Sequence, residues 1–470
     1  MSKFYESRHS RPGMKTRCVL TVRLLKRAFF PAALQFFTNL NTLGKLPDCK
    51  MDGVSNKILT GLGFLAVEKM TEKTVSGSGV ERMLFYGLCA LFFFLPVSIS
   101  PLSIVEGLLL AVWVLSGRFL KDAGLALQKW GWPVLVMMAL PWIGLLYSGD
   151  TAIGFKFAQR SDYWLFTFIV AGVLVAGYGT EAFFKSFIAG VTFTSLVFLG
   201  QVAGLIYRAN QYEDAFFGKW GHIELSQLTT LSILLLSFYF AESRKRSHKA
   251  LCAGLMAVQF AALAMLLTDA GQAAIILLSP VIFYNILGRS RKRLKFAFAA
   301  GLLLVGVIFL SPVVQSRLKE VVSDTANYSR GIVLTPLGFH YYLWGMAVRI
   351  FRMHPFAGAG TGGYAYLMDR MRQSGLPRAS QPQNTFLYMA ASYGLPGILA
   401  VIWLWAVPVG TGWKRRHAVY GFAMISFMAI LTVGSMTDTQ IMSHQSGMLL
   451  ALFYGMCLAA GKGAPALERA

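Results

Sequence analysis

From Met83 onward the chain alternates between long apolar windows and short polar turns. A bilayer core of about 30 Å is crossed by about 20 apolar helical residues, and on that criterion the pattern predicts about twelve spans. They cover Met83 to Ser98, Leu102 to Leu115, Trp132 to Tyr147, Tyr163 to Tyr178, Phe184 to Tyr207, Ile223 to Ala241, Leu251 to Thr268, Ala270 to Leu287, Phe296 to Leu310, Thr385 to Val409, Ala418 to Val433 and Gln440 to Ala460. One segment breaks the pattern. Val313 to Gln383 is long, polar and glycine-punctuated, and it closes on Pro382, Gln383 and Asn384. Where the other turns are short, such a segment is the place for chemistry, because binding and catalytic groups concentrate on loops held by a rigid scaffold.

Composition strengthens the membrane reading. The chain is 55% hydrophobic and 14% charged, with a mean hydropathy of +0.55, outside the range of soluble domains. Its net charge of +23, from 44 Lys+Arg against 21 Asp+Glu, would suggest nucleic acid in a soluble protein. Here much of that charge falls in three short turns: Arg244, Lys245, Arg246 and Lys249; Arg289, Arg291, Lys292, Arg293 and Lys295; and Lys414, Arg415 and Arg416. Each cluster lies two spans from the next, so the positive-inside rule puts all three in the cytoplasm and Val313 to Gln383 on the opposite face. The basic excess encodes orientation, and no nucleic-acid partner is expected. Trp130, Trp132, Trp142 and Tyr147 suit interfacial anchoring to membrane lipids. None of the five cysteines lies in the long segment, and no Cys or His pair has zinc-ligand spacing. No disulfide, metal or other cofactor is expected.

Residues 1–80 form a basic N-terminal extension in which Arg17, Arg23, Lys26 and Arg27 interrupt the apolar residues, so it reads as neither signal peptide nor span. Two readings remain: an interfacial basic helix, or a stretch upstream of a natural start at Met70. The domain plan is then this extension, membrane helices one to nine over 81–312, the catalytic-candidate loop over 313–384, and helices ten to twelve with a short tail over 385–470.

Within the loop, Leu343, Met346, Ala347 and Ile350 recur with helical spacing, which predicts a helix lying along the membrane surface and ending at His354-Pro355. Gly358, Gly360, Gly362 and Gly363 then allow tight turns. Gly358, Gly360 and Gly363 formally fit G-x-G-x-x-G, but no strand precedes them, so a dinucleotide site is rejected. Their sharper role is a nest of backbone N–H groups for a phosphate, built on Gly358 and Gly360.

The run LGFHYYLWGMAVRIFRMHPFAGAGTGGY, followed by PQNTFLYMAASYGLPGI, resembles the signature region of the O-antigen ligase and O-antigen polymerase superfamily. The opening ERMLFYGLCALFFFLPVSIS resembles a family N-terminus, so the likeness extends over most of Glu81 to Gly461. The resemblance implies an all-α, polytopic, multi-pass protein of the bacterial inner membrane, with about twelve helices and one large periplasmic loop. It also implies a glycosyltransferase that needs no metal, giving a glycan from an undecaprenyl-diphosphate carrier to lipid A core. A polymerase using a second carrier-linked glycan, or a protein O-oligosaccharyltransferase, are the alternatives of the same class. A transporter or flippase is the alternative of another class, although no internal repeat is visible.

A diphosphate leaving group calls for cationic donors, best supplied by arginine, and an acceptor hydroxyl profits from a general base. Arg160, Arg317 and Arg330 are singled out as diphosphate contacts, while Arg349 and Arg352 suit lipid phosphates. The family's usual His-Asn at the start of the next helix is here Gln383-Asn384, and glutamine accepts no proton at neutral pH, so these two are read as orienting amides. An arginine commonly found four residues before the tryptophan is here His340, ahead of Trp344, and His340 is the candidate base or donor. Asp269 stands near the place where relatives often carry arginine; it repels phosphate or serves as a base. Glu106, inside the second window, reads as a buried, hydrogen-bonded or protonated carboxyl.

Overall fold

The computed structural model describes residues 78–206, 221–266, 269–287, 290–310 and 312–464. The expectations for the N-terminal extension fall, but for its last three residues, outside them. Among the described residues the elements are helical and there is no strand. In chain order they are α1 (Gly79–Phe94), α2 (Ile99–Leu115), α3 (Arg118–Ala123), α4 (Trp132–Leu145), α5 (Thr151–Ala158), a 3-10 turn (Gln159–Leu165), α6 (Phe166–Val175), α7 (Glu181–Val202), α8 (Gly221–Glu242), α9 (Arg246–Met265), α10 (Asp269–Leu287), α11 (Arg291–Leu310), α12 (Pro312–Ser329), α13 (Pro336–Met353), α14 (Gly363–Met371), α15 (Thr385–Lys414), α16 (Val419–Thr437), a second 3-10 turn (Gln440–Met442) and α17 (His444–Gly461).

Among the described residues five helices, α7, α8, α9, α15 and α16, are long and apolar enough to cross a membrane, and α2, α4 and most of α10 are apolar but shorter. Two expected windows begin differently from a continuous span. Tyr163 to Tyr178 opens as the first 3-10 turn and continues as the ten residues of α6. Gln440 to Ala460 opens as the second 3-10 turn and becomes α17 only at His444.

The core is centred on α17, where every residue from Gln445 to Ala459 is buried, as befits a helix apolar on all sides. Its backbone approaches α6 closely: Thr167 Oγ1 donates to the Ala451 carbonyl at 2.9 Å, and Gly455 faces the Thr167 carbonyl. Polar side chains between other helices find partners of their own kind, Gln259 Nε2 donating to Thr192 Oγ1 and Asn285 Nδ2 to Ser237 Oγ, both at 3.0 Å.

Two hydrogen bonds fix which helix ends lie together. Ser443 Oγ donates to Glu224 Oε1 at 3.0 Å, joining the head of α8 to the head of α17. Asn384 Nδ2 donates to the Met436 carbonyl at 3.1 Å, joining the head of α15 to the tail of α16. The basic turns at 244–249 and 414–416 follow the other ends of α8 and α15. They therefore stand opposite the 313–383 segment along those helices, the separation that the charge pattern predicts.

That segment is largely helical. Thr335 caps α13 by accepting from the Gly338 amide at 3.1 Å, with Pro336 at the first position, where its missing N–H costs nothing. The stripe Leu343, Met346, Ala347 and Ile350 is buried, but not on lipid as the surface-helix expectation has it. It packs against Tyr364 and Met368 of α14 and Ala391 of α15. Removing the Leu, Met and Ile side chains from water is worth about 1.5–3 kcal/mol each on either apolar surface, so close packing against a complementary protein face decides the partner.

The glycine run is held by a break in α15. Gly394 leaves helical geometry at φ 62°, and Pro396 brings no N–H to the Ser392 carbonyl four residues back. The Gly360 amide supplies that bond at 2.9 Å, the Ala359 amide serves the Ala391 carbonyl at 2.9 Å, and the Leu395 amide turns to the Pro355 carbonyl at 2.8 Å. Irregular backbone inside a helical bundle persists where such groups are re-satisfied. On its other side the run grips the end of α4: the Thr361 amide donates to the Gly144 carbonyl at 3.1 Å, and Tyr147 hydroxyl to the Ala357 carbonyl at 2.7 Å.

Candidate active site

The clamp positions a cavity at the helix ends on this face. Its lining includes Pro141 of α4, Arg160 and Tyr163 of the first 3-10 turn, Tyr388 and Tyr393 of α15, and Met442 of the second 3-10 turn. Arg160 is the cation of that lining, exposed, with its guanidinium over the Phe157 ring at 5.5 Å. Tyr163 hydroxyl donates to the Ile441 carbonyl at 3.0 Å, which seats the second 3-10 turn against the first.

Beside this cavity stands a hydrogen-bonded pair formed across 338 residues of sequence. His444, the first residue of α17, meets Glu106 of α2 with Nε2 to Oε1 at 2.8 Å. The carboxylate side chain is 12% exposed and the imidazole 33%, so the acid is enclosed while one side of the ring stays open. Asp162 and Arg160, from the first 3-10 turn, act on the same imidazole electrostatically. Glu106 is thus the buried, hydrogen-bonded carboxyl that its place in an apolar window suggests. Asp438, the residue after α16, holds the second 3-10 turn, its carboxylate accepting from the Thr439 amide at 2.7 Å and from Gln440 Nε2 at 3.0 Å.

Asn384 is the N-cap of α15, its Oδ1 accepting from the Leu387 amide at 3.0 Å while Nδ2 ties down α16. Gln383 adopts a left-handed backbone at φ 53°, and its buried Oε1 has no hydrogen-bond partner among the described residues. Both amides therefore sit at the head of the helix that carries Tyr388 and Tyr393.

His340 lies half-buried on α13, edge-on to Trp344 with ring centroids 6.3 Å apart, and burial pushes its pKa down from the ordinary histidine value. Arg330 is exposed in the turn after α12. Among the described residues no hydrogen bond, ion pair or ring contact joins His340 or Arg330 to Arg160. Arg372 and Arg378 share Asp369, at 3.2 and 2.9 Å, and Arg370 lies over Tyr366. The side chains of Arg317 and Asp269 lie outside the described residues.

The phosphate nest expected at Gly358 and Gly360 is not formed. Both glycines have the positive φ that the turn requires, 70° and 82°. Their amides are already committed, Gly358 to the His354 carbonyl and Gly360 to the Ser392 carbonyl, each at 2.9 Å. A donor spent on repairing a helix break is not free for an anion.

The depressed pKa of His340 gives a pH signature. The unfolded chain takes up a proton near pH 6.5, whereas the folded imidazole resists it. The stabilisation is complete above that value and is lost as pH falls from it toward the lower pKa of the folded state. Apparent melting temperature should drop as pH falls below about 6.5, and His340→Gln should remove part of that slope. An unchanged slope in the variant would show that His340 does not carry it.

His444 is passed over in the sequence because the expected span from Gln440 to Ala460 takes in the polar residues up to Ser446 as its head. The signal was present: seven polar residues in the nine positions from Asp438 to Ser446 do not suit a lipid-facing helix start. No curated protein matches the chain. The family profile described as O-antigen ligase matches residues 253–402, from within α9 to within α15. The match takes in α12 to α14 and the broken head of α15, and it leaves Arg160, Glu106 and His444 outside. Residues 253–402 are thus similar to the O-antigen ligase family, and the matched stretch carries the helical segment that clamps the cavity.

Proposed function

We propose that this chain is a metal-independent membrane glycosyltransferase of the O-antigen ligase type, moving a glycan from an undecaprenyl-diphosphate carrier to lipid A core in the bacterial inner membrane. The observation that carries the proposal is the O-antigen ligase match over the segment clamped between α4 and α15 beside the Arg160 cavity. Five helices able to cross a membrane support a polytopic chain, and the finer reading is about twelve spans with α12 to α14 on the periplasmic face. In the reaction an acceptor hydroxyl attacks the anomeric carbon and the carrier diphosphate departs. Charge grows on the departing oxygens, and a planar guanidinium meets them best. Arg160 is the proposed contact, with Arg317 and Arg330 as further candidate cations for the diphosphate. His340, held neutral by burial, is read as a donor to the glycan.

Purified protein in nanodiscs, given an undecaprenyl-diphosphate oligosaccharide and lipid A core, should form the conjugate. Transfer to a second carrier-linked glycan instead would make it a polymerase, and transfer to a protein hydroxyl an oligosaccharyltransferase. Translocation without a new covalent bond would establish a flippase and end the proposal. The same split appears in a deletion strain: a ligase mutant lacks all core-attached polysaccharide, whereas a polymerase mutant keeps a single attached repeat.

Orientation is tested separately. Ser374 is exposed after α14, and Ser247 is exposed in the first basic turn. Ser374→Cys should react with a membrane-impermeant thiol reagent from the periplasmic side, and Ser247→Cys only after permeabilisation. The reverse labelling would remove the proposed chemistry from the face where the carrier presents its glycan.

A further inference from the structure

The proposed reaction needs a proton acceptor, and the Gln383 amide cannot accept a proton at neutral pH. We propose that His444, oriented by Glu106, takes the proton of the acceptor hydroxyl; this rests on the glycosyltransferase reading and extends it. Three observations carry it. The imidazole has an enclosed carboxylate on Nε2 at 2.8 Å, whereas His340 has a tryptophan edge for a neighbour. The ring remains 33% exposed, and Nδ1 has no hydrogen-bond partner among the described residues. Finally, His444 follows Met442 by two residues, and Met442 lines the cavity together with Arg160.

The geometry sets the roles. Glu106 Oε1 accepts from Nε2–H, which fixes the tautomer and leaves the Nδ1 lone pair as the basic site, the arrangement by which a carboxyl group orients a catalytic imidazole. The acceptor oxygen forms its bond to the anomeric carbon as the bond from that carbon to the diphosphate oxygen breaks. The bonding pair leaves with the diphosphate, opposite the Arg160 guanidinium. The hydroxyl proton passes to Nδ1 and is later released to solvent, so no oxidant, metal or further reactant enters. Glu106 acts through His444 and is a positioning residue.

Full-length protein in nanodiscs, with undecaprenyl-diphosphate oligosaccharide as donor and lipid A core as acceptor, tests the assignment. His444→Gln should lower kcat by about 10²–10⁴-fold while donor affinity, measured without acceptor, stays within a few-fold. Glu106→Gln, close in shape, should lower kcat less and shift its acidic limb toward lower pH, because the imidazole loses its hydrogen-bonded carboxyl and keeps only the more distant Asp162. A structural role for the pair predicts no shift of that limb. Wild-type transfer with His444→Gln retaining its rate within a few-fold overturns the assignment and leaves the glycosyltransferase reading intact. Should His444→Gln fail to fold, an unmoved limb in Glu106→Gln overturns it equally. No transfer by wild type with any acceptor overturns the underlying reading, and this inference with it.

Discussion

Arg160→Ala should lower glycan transfer by about 10²–10³-fold, the effect of removing one preorganised donor from a developing negative charge. The side chain is exposed at the cavity rim and its recorded partner is the Phe157 ring, so its removal should leave the melting temperature nearly unchanged. Arg160→Lys keeps the charge but loses the planar fork and should recover only part of the rate. Steady-state kinetics on nanodisc protein read the result. If Arg160→Ala transfers at the wild-type rate, the diphosphate is held elsewhere, and the further cations of the loop become the place to look.

Gly358→Ala should be the most damaging single methyl in the described segment. Its φ of 70° alone costs an L-residue about 1–2 kcal/mol. A Cβ there would lie 2.3 Å from the Ser392 carbonyl carbon and from the Tyr393 nitrogen, backbone atoms with no rotamer to yield. Relief requires the glycine run to lift off α15. The Ala391 and Ser392 carbonyls then lose their donors, at about 1–3 kcal/mol for each buried group left unpaired. Gly375→Ala is the control: its φ is 86°, but nothing lies within 4 Å of the added carbon. Thermal unfolding in detergent should show a small drop for Gly375→Ala and a much larger one, with loss of transfer, for Gly358→Ala. Equal drops would mean that the clamp contributes nothing beyond backbone strain.

Both predictions rest on contacts between segments far apart in the chain, and that is where sequence reading ran short. The stripe Leu343, Met346, Ala347 and Ile350 announced a helix and its stop at His354, because helical periodicity is local. It left the partner of that stripe open, since lipid and a protein face are equally apolar. The glycines announced turns, and three of them, Gly358, Gly360 and Gly362, have the positive φ that turns demand. Whether their amides were free for a phosphate depended on a helix break more than thirty residues downstream. Glu106 stood out as a charge in an apolar window, but nothing local pairs it with position 444.

By itself the sequence determined the helical, membrane-embedded class and the superfamily likeness of the loop motif. These follow from composition, periodicity and short motifs, which neighbouring residues express without reference to the rest of the chain. Only the tertiary structure decided that the loop is three helices clamped on α4 and α15, that the glycine amides are spent on a broken helix, and that His444 meets Glu106. Hydrogen bonds need approach to about 3 Å, and for residues hundreds of positions apart that approach is set by how helices pack.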